Sequence, residues 1–190
     1  MTDIQALERR VERLESRIEI EELVTAYARA CDEHDMPWLE SLFTEDAQFD
    51  SPSGVMRAGN RDEIMAMFVA AFKVRGPGYH WTHDPFIRID DADPDIATGT
   101  VLSHAETTPN GRVSLAAMKY NDRYRRVDGR WRFSRREIQF LYYVPAEQYL
   151  EGLSRKQRLY YGGDWKDADY PEALSAWQDF NRRHPPDGAG

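Results

Sequence analysis

The stretch Tyr27-Ala28-Arg29-Ala30-Cys31-Asp32-Glu33-His34-Asp35-Met36-Pro37-Trp38-Leu39-Glu40-Ser41-Leu42-Phe43 decides how the chain is read. Leu23, Val24, Tyr27 and Cys31 recur at helical spacing and then stop in a cluster of acids. Pro37 opens a second, short helix, where its missing amide costs nothing. Trp38, Leu39, Leu42 and Phe43 form the apolar face of that helix, residues 44–46 close it, and residues 47–51 read as a first strand. Upstream, Ile4, Leu7, Val11, Leu14 and Ile18 carry the helix back through about two heptads. That stripe breaks at Glu21 and is shorter than the roughly three to four heptads of a free coiled coil. It fits a helix packed on its own domain or on a sister subunit.

Downstream, Ser51-Pro52-Ser53-Gly54 is a turn and residues 55–58 are a short return strand. Asn60 followed by Glu63 starts a third helix with a capping-box pattern, and Gly76-Pro77-Gly78 ends it. Its buried side is Ile64, Met65, Met67, Phe68, Ala71 and Phe72. Residues 79–90, 96–107, 112–127 and 130–143 are β-rich. The last two joints, Pro109-Asn110-Gly111 and Asp128-Gly129, are hairpin turns. Helices followed by a long antiparallel meander make the chain α+β. After Pro145 come helix-like pieces with Tyr149, Tyr160, Tyr161, Trp165, Tyr170, Trp177 and Phe180, enough aromatic area to cover a cavity mouth or an interface. Residues 184–188 read as a frayed end. The expected organisation is one domain. Its body is 1–144, with 1–20 as an N-terminal helical extension, and 145–190 form a helical C-terminal extension.

With 190 residues, 41% hydrophobic and 31% charged, the chain is expected to be globular and to bury a sizeable core. A net charge of −8 argues against nucleic acid or an anionic membrane as partner, since both call for clustered lysine and arginine. Arg123-Tyr124-Arg125-Arg126 does not change this, because a strand splits such a run between two faces. The single cysteine excludes an internal disulfide and suits a reducing compartment. No segment reaches the ~20 apolar residues of a membrane helix. A cytoplasmic location is the expectation.

In its marks, the chain resembles the nuclear transport factor two-like superfamily, in its polyketide-cyclase and dehydratase branch. Those marks are the phrase Asp32…Asp35…Leu39…Leu42-Phe43-Thr44…Asp46-Ala47, the helix entry Gly59…Ile64, and the hairpin Tyr124-Arg125-Arg126-Val127-Asp128-Gly129-Arg130-Trp131-Arg132-Phe133. The resemblance implies a cone of curved mixed sheet wrapped around helices, with a deep apolar pocket. Within the branch it is similar to scytalone dehydratase, hexachlorocyclohexane dehydrochlorinase and bile-acid dehydratase. This implies cofactor-independent elimination by an Asp–His pair acting on a small, apolar, cyclic molecule. A homotrimer is what the dehydratase likeness implies, and a dimer is common elsewhere in the superfamily. Isomerases, cyclases and non-catalytic binding or assembly subunits share the fold, so fold alone does not assign the function.

By this likeness Asp32 is the acid and His83 the base, with Asp32 holding the other ring N–H of His83. By residue type alone, a helix-terminal aspartate and an edge-strand histidine also fit solvated roles. His104 lies where scytalone dehydratase has a second imidazole. It ends a strand whose other face (Ala97, Gly99, Val101, Ser103, Ala105) is small enough to pack on a helix, so it points either into the cavity or outward. Tyr27 is a candidate proton donor to a leaving group, and equally a core residue. Trp81, Tyr120 and Cys31 are candidate substrate-binding pocket walls. Cys31 stands where scytalone dehydratase has a tyrosine, and it reads as a small hydrophobe. His80, His83, Asp84 and His104 suggest a metal, but a strand sends positions 80 and 83 to opposite faces, so no metal is expected.

Overall fold

A computed structural model describes residues 3–185, and beyond Pro185 the expected frayed end lies outside them. The first helix, α1, runs unbroken over Asp3–Asp32. From Ser16 onward one side of it is buried, through Ile20, Leu23, Val24, Tyr27, Ala30 and Cys31. His34 turns the chain with a positive φ of 55°, and Asp35 caps α2 (Met36–Ser41) by accepting the Trp38 amide at 2.9 Å. β1 follows directly over Phe43–Asp50, four residues earlier than the sequence suggests. Phe43 and Ala47 are fully buried, so burial places the polar run Thr44-Glu45-Asp46 in a strand.

β2 (Arg57–Ala58) pairs antiparallel with β1 and leads into α3 (Arg61–Val74). The capping box forms as expected: Asn60 Oδ1 accepts the Glu63 amide at 2.9 Å, and Glu63 accepts the Gly59 amide at 2.7 Å. Four long strands follow: β3 (Tyr79–Ile89), β4 (Ile96–Thr107), β5 (Ser114–Val127) and β6 (Arg130–Pro145). Asn110-Gly111 and Asp128-Gly129 take positive φ in pairs, as two-residue hairpin turns require. The main sheet has the order β2-β1-β6-β5-β4-β3, and β1 joins β6 in parallel. It is a curled, unclosed mixed sheet with α1 and α3 across its concave face, and the chain is α+β.

Register sets which side chains face the helices. Ala97, Val101, Ser103 and Ala105 of β4 oppose Tyr124, Tyr120, Met118 and Ala116 of β5, and all eight are buried. The small β4 side chains leave room for α1. Gly99 belongs to the same face: a Cβ there would lie 2.6 Å from Ile87 Cδ1 and 3.0 Å from the Tyr124 ring.

The C-terminal extension carries strand as well as helix: α4 (Tyr149–Gly152), a hairpin of β7 (Leu159–Tyr161) and β8 (Asp164–Lys166), and α5 (Ser175–Arg183). It continues the sheet where β1 ends. Leu159 pairs with Tyr143 of β6, and Asp169 exchanges backbone and side-chain bonds with Phe140. Arg158 ties the segment together with two bonds to Glu172 and further bonds to the carbonyls of Leu141, Arg155 and Tyr170.

Candidate active site

The end of α1 meets the start of β3 in one two-pronged contact. Asp32 Oδ1 lies 2.6 Å from His80 Nδ1, and Asp32 Oδ2 accepts the His80 backbone N–H at 2.9 Å. The two side chains are only 16% and 10% exposed. One carboxylate thus fixes both the ring and the backbone of the same residue. A carboxylate can only accept, so a neutral His80 ring carries its proton on Nδ1 and keeps the Nε2 lone pair free.

The expected partner of Asp32 was His83, and this pairing is not made. Strand alternation explains the correction. His80 opposes the buried Ala105, on the concave face. His83 opposes Leu102 and points to the convex face, where its Nδ1 lies 3.0 Å from Asp84 Oδ2 and its Nε2 lies 2.9 Å from His104 Nδ1. His104 is therefore on the outer face as well, and so is Trp81, which opposes it and is 51% exposed. Trp81 does not wall the cone interior. Beyond His83 the strand is irregular, with Asp84 at φ 51°.

Tyr27, Cys31 and Tyr120 do lie inside the cone, behind Asp32. Tyr27 packs edge-on against Phe43, Phe68, Tyr120 and Phe133, with centroids 5.8–6.2 Å apart. Burial pushes its phenol well above the ordinary range, and burial pushes the Cys31 thiol and the Tyr120 phenol up to about 12. All three are neutral at physiological pH.

Beneath them is a pair that the sequence reading passed over. Arg136 and Asp122 are fully buried and joined by two bonds, Nε to Oδ1 at 2.9 Å and Nη2 to Oδ2 at 2.7 Å. Tyr124 donates to the same carboxylate at 2.8 Å. The Arg136 guanidinium lies 4.1–4.2 Å from the centroids of Tyr27, Tyr120 and Phe133. Burial works against its charge, but the Asp122 carboxylate outweighs that and holds the guanidinium above its ordinary pKa. Its Nη1 is buried without a hydrogen-bond partner and meets aromatic faces instead. Tyr120, Asp122 and Tyr124 alternate on one side of β5, and Asp122 stands opposite Arg136. An acid and a base on the apolar face of neighbouring strands was the available signal.

Near this end of the cone a hollow of about 500 Å³ is bounded by α3, by the β4–β5 turn and by the β7–β8 hairpin. Ala71, Val74, Arg75, Tyr143, Tyr160 and Tyr161 are among its walls. The Arg75 charge also acts on Cys31, next to Asp32. Tyr143 bonds Thr107 at 2.7 Å on the same wall.

Residues 12–137 match the SnoaL-like domain, and the chain belongs to that family, within the nuclear transport factor two-like superfamily. No curated protein matches the chain by sequence. Among solved structures it is similar to a proposed scytalone dehydratase from Novosphingobium aromaticivorans DSM 12444. The identity is 21%, the match covers 70% of this chain and 89% of the other, and the TM-score is 0.64. It is also similar to the hexachlorocyclohexane dehydrochlorinase LinA-type3 from Novosphingobium barchaimii LL02, at 20% identity, 71% and 92% coverage and a TM-score of 0.63. A proposed aromatic ring hydroxylase from Novosphingobium aromaticivorans matches at 24% identity, 70% and 94% coverage and a TM-score of 0.65. At these identities the likeness establishes the fold.

Proposed function

We propose that this chain is a cofactor-independent lyase of the dehydratase type, with His80 as general base and Asp32 as the residue that positions it. The observation that carries the reading is the double contact of one carboxylate with the Nδ1 and backbone N–H of His80. Both oxygens of Asp32 are thereby engaged, which favours a positioning role for it over that of base. The reading moves the base from His83 to His80.

In the proposed reaction His80 Nε2 takes a proton from a ring carbon next to an electron-withdrawing group. The C–H electron pair becomes the new C=C bond as the neighbouring C–O or C–halogen bond breaks. A halide leaves with its pair, and His80 then gives the abstracted proton to solvent. A departing oxygen takes the hydroxyl proton of Tyr27 and leaves as water, and the proton held by His80 then restores the phenol. Asp32 balances the charge that forms on the imidazole, in a site whose burial strengthens each polar contact. The substrate is a small, apolar, cyclic molecule that enters from the hollow beside Arg75 and Tyr143. A cytoplasmic location suits such a protein, as does assembly from several copies.

The test is a panel of cyclic β-hydroxy ketones and halogenated cyclohexanes, followed by chromatography for alkene products. Once one is turned over, His80→Ala is expected to lose about 10²–10⁴-fold in rate, the usual worth of a general base. His83→Ala is expected to stay within about twofold of the wild type. Loss of turnover in His83→Ala with His80→Ala intact would overturn the assignment.

A further inference from the structure

The first half of α1 presents an unpartnered seam. Ile4, Leu7, Val11, Leu14 and Ile18 are 44–69% exposed on a continuous helix. The rest of that half faces its own domain or solvent. Ser16 is buried and accepts from Arg126 at 2.8 Å, Arg13 donates to the Ile89 carbonyl at 3.2 Å and pairs with Asp91, and Glu12 lies 3.8 Å from Arg126. The helix is thus held along one side while its apolar stripe stays exposed, with Leu14 at the edge of a hollow shared with Ile87 and Ile89 of β3 and Ile18 at the edge of one shared with Trp38.

The spacing 4, 7, 11, 14, 18 is that of alternating a and d heptad positions. The a positions are then Ile4, Val11 and Ile18, all β-branched, and the d positions are Leu7 and Leu14. This is the combination that favours two parallel strands over three. The flanking positions are sorted by charge. Arg10 and Arg17 stand at g, and Glu8, Glu15 and Glu22 at e. All five are exposed, and none forms an ion pair with another described residue. In a parallel pair, g of one helix meets the following e of the other, so Arg10 faces Glu15 and Arg17 faces Glu22 across both sides of the seam. In an antiparallel pair, arginine would face arginine and glutamate would face glutamate. Only the first turn is mismatched, with Asp3 toward Glu8, and the seam ends at Glu21, where two like charges would meet in its core.

We infer that residues 3–18 of α1 form a parallel, in-register, two-stranded coiled coil with the same segment of a second copy of this chain. The partner is a second copy because the seam is complementary to itself in one orientation alone. The interface is separate from the Asp32–His80 site, so its test is independent of the reaction.

Sedimentation of the full chain is expected to give twice its 22.1 kDa mass at micromolar concentration. Leu7→Lys with Leu14→Lys is expected to return the mass to that of a monomer with helix content retained, since both side chains are exposed. Arg10→Glu with Arg17→Glu is expected to dissociate the pair, and adding Glu15→Arg with Glu22→Arg to restore it. The native Cys31 is buried, so Val11→Cys supplies the accessible thiol. In register, two such thiols come within disulfide reach, so oxidation is expected to trap a covalent dimer, while Glu19→Cys off the seam stays uncrosslinked. Four results would each overturn the inference: a monomer at every concentration, a trimer, a dimer that survives Leu7→Lys with Leu14→Lys, or equal cross-linking at positions 11 and 19. The first would leave the seam for a different protein.

Discussion

Replacing Arg136 by Met tests whether the buried pair organises the cone. Both members are fully buried, and the guanidinium spends Nε and Nη2 on Asp122. Arg136→Met keeps the volume and the contacts with Tyr27, Tyr120 and Phe133, but leaves Asp122 in the core with only the Tyr124 hydroxyl. Stranding one charge of a buried pair costs about 3–5 kcal/mol. That is a large part of the ~5–15 kcal/mol of a whole domain. With a urea slope of about 2.5 kcal/mol/M, the unfolding midpoint is expected to fall by about 1–2 M. Asp122→Leu with Arg136→Met removes both charges and is expected to recover most of the loss, because such pairs are replaceable by apolar residues of similar volume. The double-mutant cycle then gives a coupling of several kcal/mol. A cost below about 1 kcal/mol for Arg136→Met, or a double variant less stable than it, would refute the reasoning.

Gly99→Ala is expected to destabilise by about 1–3 kcal/mol, through the overlap of the new methyl with Ile87 and Tyr124, measured by the same urea titration. Asp169 gives a pH test. Burial raises its carboxyl above the ordinary value, so the folded chain holds that proton more tightly than the unfolded one. Its contribution to stability is complete below the unfolded carboxyl pKa and is lost as pH rises through the folded one. Wild type is therefore expected to lose stability relative to Asp169→Asn as pH rises above about 4, the range of the unfolded carboxyl. Glu172 runs the other way, because Arg158 lowers its carboxyl. Relative to Glu172→Gln, wild type is expected to lose stability as pH falls below about 4.

Much of the fold was legible because its signals are local. The four long strands, their type of turn and the Asn60 cap follow from alternation, Asn-Gly and Asp-Gly pairs, and a side chain three residues ahead of Glu63. β1 was placed late because Thr44, Glu45 and Asp46 are polar, and what makes them a strand is Phe43 and Ala47 packing in the core and pairing with β6. The parallel contact between β1 and β6 joins residues some ninety positions apart and has no local signature. For the site, Asp32 was picked out by the family likeness from the cluster of acids at the helix end. The histidine was misassigned because His80 and His83 share one strand and one residue type, and parity alone separates them. Counting alternation back from the short turn at Asp91-Ala92-Asp93-Pro94 gives the wrong face, because it sets His83 opposite Ser103 on the small side of β4; the register shift between His83 and Phe86 moves His83 opposite Leu102 and His80 opposite Ala105. The Arg136–Asp122 pair was passed over because its members lie fourteen residues apart on neighbouring strands.

The most direct test of the central claim is the nitrogen spectrum of the five imidazoles, recorded by NMR at neutral pH in wild type and in Asp32→Ala. The account predicts that the His80 ring carries its proton on Nδ1 in wild type, that this preference is lost in Asp32→Ala, and that the His83 and His104 signals stay where they were. A change confined to His83, with His80 unaffected, would contradict it.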